Sequence, residues 1–378
     1  MRQGPVRILH IVGGMFRHGV ETILMNYYRH IDRNKIQFDF LTMIPGEHDY
    51  DTEIRSLGGR IFSISPPNKS QPLKHLLDLT SLMQQEGPFW AVHAHTMHHS
   101  GLVMLAAKLA GIKIRISHSH NTSDWGEHLL WRKIYFVTAK ILIRRYATRL
   151  VACGSDAAVY LFGKSLVKSG KVIFLPNALD LESYLSLDES RTLFLRRQLG
   201  ILEDTLVIGH IGRFSPQKNH AFFIPLLRQI KSVKSDVRLI LVGEGELRKQ
   251  LENELLQNDL YDDVIFLGVR SDIAEIMSVF NVFVLPSIYE GLPVVLLEAQ
   301  ATGTPCVVSS AVTKEADMGL NLVEYLDLKS KTEDWCNVIL SQSKRIRPPR
   351  ELIIDKFRQR GYDASVSEKS LIRLYEVL

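Results

Sequence analysis

The sequence predicts an α/β protein of two Rossmann-like domains, each a parallel sheet covered by helices. Three observations carry this. Strand-type apolar runs alternate with helical patterns through most of the 378 residues, and such alternation builds parallel sheets with helices on both faces. The alternation pauses in a polar stretch at about 181–204 and restarts at Leu206, which marks a linker. A chain of this length with 46% apolar residues also exceeds what one core usually holds. The expected boundaries are 1–180 for the first domain and 205–359 for the second.

The first domain opens with a buried-type strand at 6–12, followed by Gly13-Gly14, Gly19 and a helical pattern at 20–31. Glycines between a strand and a helix let backbone approach a ligand closely, as phosphate loops do. The spacing is not G-x-G-x-x-G, so a dinucleotide fingerprint finds no support. Further strand signals lie at 38–43, 60–64, 91–94, 114–118, 150–153 and 172–175. In the second domain they lie at 207–211, 238–242, 264–267, 282–285 and 306–308.

Composition narrows the function classes. The formal charge of +5 is too mild to argue for nucleic acid. The three cysteines, Cys153, Cys306 and Cys336, have no C-x-x-C spacing, which suits a reducing compartment and argues against a disulfide framework or a thiolate zinc site. The apolar run near the N-terminus spans only seven residues, 8–14, and no stretch approaches the length of a membrane span. A cytoplasmic protein without signal peptide or spanning helix is expected.

The most informative stretch is 282–309. Its apolar run stops at Pro286, Glu290-Gly291-Leu292 forms a loop, Pro293 stands where a helix would start, and Gly303 and Pro305 close that helix. The helix VVLLEAQA is apolar on nearly every side, yet Glu298 stands in its middle. A buried carboxylate needs a partner: a structural Lys or Arg, or a ligand offering paired hydroxyls such as a ribose diol. Phosphates of such a ligand would lie toward the open N–H groups of the helix start. Arg213 and Lys218 follow the second domain's first strand around a Pro-containing turn, where they can flank one diphosphate; solvated surface charges are the alternative.

Glu290, Gly291-Leu292-Pro293 and Glu298 together resemble the signature of the retaining glycosyltransferases of family 4, which have the two-domain GT-B fold. The motifs HAHT, SHSHNTS, PNALDLE, KNH and YEGLPVVLLEAQATGTP extend the resemblance over nearly the whole chain, closest to enzymes of bacterial exopolysaccharide and capsule assembly. The resemblance implies that Glu298 binds the ribose of a nucleotide-sugar, that Glu290 with Gly291 and Leu292 meets the donor sugar, and that Arg213 and Lys218 hold the diphosphate. It further implies that Gly14 faces the donor phosphates, that Gly243 forms a nucleotide-side turn, and that Val269 lies near the base. A final helix at about 360–378 would cross back to the first domain. A UDP-sugar is the expected donor and no separate cofactor is expected; neither base, sugar nor acceptor can be read from the residues.

Six of the 14 histidines lie within 93–120. On a strand, H-x-H places both rings on one face, which is metal-ligand geometry. No cysteine lies near and no H-E-x-x-H helix is present, so no metal is expected. The resemblance instead points to a histidine lining the reaction centre, His120 with His118 as the second choice. Asp49-Tyr50-Asp51 is a D-x-D that does not follow a strand end as a metal motif should.

The stretch 129–150 carries six Lys or Arg and no acid. It suits either an anionic membrane surface or a core helix with a basic edge. The expectation is thus metal-independent, retaining transfer from a nucleotide-sugar to a saccharide acceptor, expected to be lipid-linked, at or near the membrane's inner face. Two alternatives stand beside it: the nucleotide-sugar 2-epimerases, which share the two-domain shape, and a non-catalytic sugar-nucleotide-binding partner of another transferase. The GLP-centred glutamates speak for transfer.

Overall fold

The computed structural model describes residues 4–66, 71–122, 130–186 and 188–376, with backbone alone at 130 and 131. The chain forms two compact units, Met1–Ala178 with Ala364–Leu378, and Leu179–Asp363. Each is described by itself.

The first unit holds β1 (Val6–Ile11), β2 (Ile36–Thr42), β3 (Ile61–Ser63), β4 (Ala91–Ala94), β5 (Ile114–Ser119), β6 (Arg149–Ala152) and β7 (Val172–Phe174). They make one sheet in the order β3-β2-β1-β4-β5-β6-β7, parallel throughout. Strands this apolar require cover on both faces, and the core formed by Leu9, Ile11, Val92 and Ala94 with Met104 and Ala107 supplies it on one of them. The helix Ala364–Leu374 returns from the far end of the chain to pack on the helix Gly19–His30.

The second unit holds β8 (Leu206–Ile211), β9 (Val237–Val242), β10 (Val264–Phe266), β11 (Val282–Leu285), β12 (Cys306–Ser309) and β13 (Val323–Leu326). Its parallel sheet runs β10-β9-β8-β11-β12-β13. In both sheets the strand order reverses once, between β1 and β4 and between β8 and β11. Sheets of this kind bind ligands beyond the carboxyl ends of the strands at that reversal.

Two features differ from expectation. Residues 181–204, expected as a linker, carry the helices Leu181–Leu185 and Glu189–Gln198 within the second unit. Their charged sequence hides the few apolar side chains, Leu181 and Leu195, that bury them. Strand β13 was not expected either: VEYL is an edge strand with one charged and no fully buried position, so no apolar run announces it. Among the described residues no helix is long and apolar enough to cross a membrane. Cys153, Cys306 and Cys336 are free and buried.

Candidate active site

In the second unit the loops after β8 and β11 meet at the strand-order reversal. After β8 the chain passes Gly212 and Arg213 into a short turn Pro216–Lys218, and Asn219 takes a left-handed conformation that redirects it. The turn is tied to the loop after β11 by Ile288 N–H donating to Gln217 O at 2.9 Å and Asn219 Nδ2 donating to Pro286 O at 3.1 Å. These ties aim Lys218 at Glu290. Lys218 Nζ lies 2.7 Å from Glu290 Oε1, and Gln217 Nε2 donates to Glu290 Oε2 at 3.3 Å. Both charged side chains are largely withdrawn from water, at 16% and 7% exposure.

Pro293 caps the helix Val294–Ala301, and this helix buries Glu298. Here the partner of the buried carboxylate is the Tyr184 hydroxyl, donating to Glu298 Oε1 at 2.7 Å, rather than a Lys or Arg side chain. Burial pushes the Glu298 carboxyl above its ordinary range; the Tyr184 hydrogen bond and the nearby Lys218 charge pull part of the way back. Arg213 stands apart from this cluster. Its guanidinium is exposed and pairs with Glu246 at 3.2 Å. Leu292 is buried beside the helix start, and Val269 is half exposed.

Gly243 follows β9 with φ +133°, and a Cβ there would stand 2.2 Å from Gly212 O. Only glycine lets the turn after β9 lie against the turn after β8. Gly14 in the first unit is equally enclosed: a Cβ would stand 2.7 Å from Phe16 Cε2 and 2.9 Å from His48 Nε2. The glycine loop after β1 is therefore packed as well as open-backboned. Just beyond it, burial pushes the Glu21 carboxyl up to about 7.

Also in the first unit, His10 on β1, His93 on β4 and His118 on β5, with His95 and His120 just past two of those strands, place five buried rings together. His10 Nδ1 lies 3.1 Å from His95 Nε2, and His95 Nδ1 lies 2.9 Å from His120 Nε2. His93 Nε2 lies 3.1 Å from His118 Nδ1, and His93 Nδ1 lies 2.9 Å from the Tyr375 hydroxyl. Burial holds every ring neutral: His10 and His120 are pushed down to about 3, and His93, His95 and His118 lie well below the ordinary histidine value. Two groups of three, His10–His93–His95 and His95–His118–His120, have ligand atoms close enough to hold a metal ion. Asp49 and Asp51 of the D-x-D serve the local fold, accepting from the backbone N–H groups of Arg17 and His48.

Lys218, Glu290 and Glu298 are thus assembled in one unit with Gly243 nearby, while Gly14 and His120 belong to the other. Sequence reasoning did not find Gln217, Tyr184, His10 or Tyr375; it marked His95 only as part of a same-face H-x-H pair. Gln217 carries a signal, being next to Lys218; Tyr184 and Tyr375 carry none, because they arrive from distant parts of the chain.

The chain matches the family model described as "Glycosyl transferases group 1" over residues 192–318 and the one described as "Glycosyltransferase Family 4" over residues 17–183. It is 42% identical, over 100% of this chain and 98% of the relative, to a Bacillus subtilis (strain 168) protein named "Putative glycosyltransferase EpsF". It is 30% identical, over 63% of this chain and 62% of the relative, to the Escherichia coli UDP-Gal:alpha-D-GlcNAc-diphosphoundecaprenol alpha-1,3-galactosyltransferase. Among solved structures, Anabaena HepE in complex with UDP and glucose aligns with TM-score 0.79 at 20% identity, covering 99% of this chain and 100% of that one.

Proposed function

The chain belongs to the group 1, family 4 glycosyltransferases, and on that premise we propose that it moves a sugar from a nucleotide-sugar to a lipid-linked saccharide in polysaccharide assembly, retaining the anomeric configuration and using no metal ion. The observation that carries this reading is the Lys218–Glu290 pair at the β8/β11 reversal, with the buried Glu298 about one turn into the helix that follows Glu290 and close enough to feel the Lys218 charge. It offers a cation for phosphate and two carboxylates for hydroxyls along one elongated site.

In this reading the donor diphosphate draws on Lys218 and Arg213, whose charge meets the negative charge that grows as the nucleotide leaves. The ribose diol donates to Glu298, relieving a carboxylate that burial makes costly to ionise. Glu290 holds the donor sugar, and His120 lines the reaction centre. No carboxylate is assigned as nucleophile. The leaving phosphate oxygen takes the proton of the attacking acceptor hydroxyl on the same face, so configuration is kept as the new glycosidic bond forms and the sugar–phosphate bond breaks.

A UDP-sugar donor and a diphosphate-linked lipid acceptor are supported by the E. coli relative, whose name states both, and by the UDP and glucose held by the HepE structure. Peripheral membrane contact is supported by the helix Leu130–Tyr146. Its inner face packs through Ala139 and Ile143, while Ile134, Val137 and Ile141 are exposed beside Lys133, Arg144 and Arg145. An exposed apolar strip rimmed by basic residues suits an anionic lipid surface.

A thermal-shift panel of nucleotide-sugars on purified protein, followed by transfer to polyprenyl-diphosphate-linked saccharides with EDTA present, tests the reading. Transfer with retained configuration is expected. Epimerised or hydrolysed donor without transfer, an inverted product, or activity lost to EDTA and restored by a metal ion overturns it.

A further inference from the structure

The histidine cluster resolves into two hydrogen-bonded chains with free ends. His10, His95 and His120 form one; Tyr375, His93 and His118 form the other. His10 Nε2, His120 Nδ1 and His118 Nε2 are buried and have no hydrogen-bond partner. A neutral imidazole carries one N–H and one lone pair, so each ring must donate at one nitrogen and accept at the other. Three such rings own three N–H groups, and the two bonds of the first chain use two. The third must stand at one end, on His10 Nε2 or on His120 Nδ1.

The two ends differ. His10 lies within β1 with Phe38 at 4.2 Å, Phe40 at 5.5 Å and the edge of Tyr375 around it, an aromatic setting in which its Nε2 meets no oxygen or nitrogen partner and only weakly accepting ring faces. A lone pair is tolerated there better than an unpaired N–H. His120 lies just past the end of β5, at the carboxyl edge of the sheet, where such sheets meet ligands. The second chain has its direction set by chemistry: a phenol is the stronger donor and imidazole nitrogen the stronger acceptor, so Tyr375 donates to His93 Nδ1 and His93 Nε2–H donates to His118 Nδ1.

We propose that these two chains fix the tautomers of His120 and His118 in opposite senses, so that the N–H groups left over stand on His120 Nδ1 and His118 Nε2, toward the carboxyl edge of the first unit's sheet. His95, His93, His10 and Tyr375 are then positioning residues. The proposal rests on the reading that the carboxyl edge of this sheet meets the donor, and it deepens it by naming what the rings offer: neutral donors for hydroxyl or phosphate oxygen. Neutral rings keep that role at any pH where the protein is folded, since no proton is gained or lost.

Imidazole nitrogen NMR of histidine-labelled protein tests this, with rings assigned by loss of signals in His118→Gln and His120→Gln. The expected result is protonated Nδ1 on His10, His95 and His120, and protonated Nε2 on His93 and His118. His95→Phe should release His120 toward the Nε2–H form and lower kcat about tenfold with little change in KM. His95→Asn, whose amide N–H stands near where the Nδ1–H stood, should keep the His120 tautomer and most of kcat. Tyr375→Phe should release His93 and, through it, His118, and leave His120 as it is. The same tautomer on His118 and His120, an unmoved His120 in His95→Phe, or a stoichiometric metal ion on the purified protein's rings overturns the proposal. If the tautomers are as expected but His120→Ala leaves donor turnover unchanged, the chains stand and the placement of His120 at the reaction centre falls.

Discussion

The Tyr184 hydroxyl donates to Glu298 Oε1 at 2.7 Å, joining a five-residue helix to the middle of the largely apolar, buried helix Val294–Ala301. This bond leaves Glu298 Oε2 as the freer oxygen for a ligand, and it makes two substitutions separable. Glu298→Ala should weaken donor binding more than it lowers the melting temperature, because it removes charge-assisted hydrogen bonds worth about 1.5 to 3 kcal/mol in the complex while removing a costly buried charge from the free protein. Tyr184→Phe should do the reverse, lowering the melting temperature with a smaller loss of affinity. Calorimetric titration of both variants with the donor checks this; equal affinity losses would mean that Tyr184 itself touches the nucleotide.

Donor affinity should also rise with pH. The Glu298 carboxyl ionises above its ordinary value of 4.5 in the free protein, and a diol that donates to the carboxylate favours the ionised form. Binding therefore releases protons in the window above 4.5, and titrations in buffers of different ionisation enthalpy read that release directly. Proton uptake on binding would place the diol elsewhere.

Lys218 and Arg213 should part company in stability while agreeing in catalysis. Lys218→Ala removes the cation that neutralises the buried Glu290 and should cost about 3–5 kcal/mol, part of it recovered in Lys218→Ala with Glu290→Ala. The Arg213–Glu246 pair is exposed, so Arg213→Ala should cost no more than about 1 kcal/mol. Both should lower kcat more than they raise KM, measured at a temperature where each variant is folded. A pure KM effect in both would limit them to ground-state binding.

Acid should unfold the first unit early. His10, His93, His95, His118 and His120 are held neutral when folded but bind protons below about 6.5 when unfolded, so the unfolded state takes up more protons as pH falls and stability drops with it. Each ring forfeits about 1.4 kcal/mol per pH unit, and five together reach about 7 kcal/mol one unit below 6.5, comparable to the whole stability of a typical domain. Glu21, pushed up to about 7, works in the opposite sense between that value and 4.5, but it is one group against five. Circular dichroism against pH should show loss of structure near pH 5; a chain that stays native at pH 4 would mean that the rings are reached by water.

Membrane contact has its own measurement. Each basic residue near an anionic surface contributes on the order of 1 kcal/mol, and salt screens it. Arg144→Glu with Arg145→Glu should reduce sedimentation with anionic liposomes at low salt and leave donor binding intact. Wild-type protein that ignores such liposomes would assign the helix Leu130–Tyr146 to structure alone.

How much of this could be read in the sequence follows from distance along the chain. Glu290 and Glu298 were legible because strand, loop and helix lie within one short stretch whose apolar run, Pro293 and Gly303 mark each boundary. Lys218 was legible as a charge after a strand, but its 2.7 Å pairing with Glu290 was not, since 72 positions separate them. The histidines were legible as a cluster and as same-face pairs, whereas their order into two chains depends on the register His10↔His93 between β1 and β4. Tyr184 lay in a stretch too polar to read as anything but linker.

The way Tyr375 completes the first unit has a consequence for how the protein is made. Its ring meets His93, and its carbonyl accepts from Trp90 Nε1 at 2.6 Å, yet the 185 residues Leu179–Asp363, the whole second unit, leave the ribosome between the two parts. At roughly 5–20 residues per second the nascent sheet waits about ten to forty seconds with its aromatic and histidine floor open. During that interval the growing second unit is a competitor for the same apolar surface, so chaperone dependence during synthesis should fall on the early sheet, and a chain ended at Asp363 should expose it permanently to a hydrophobic dye.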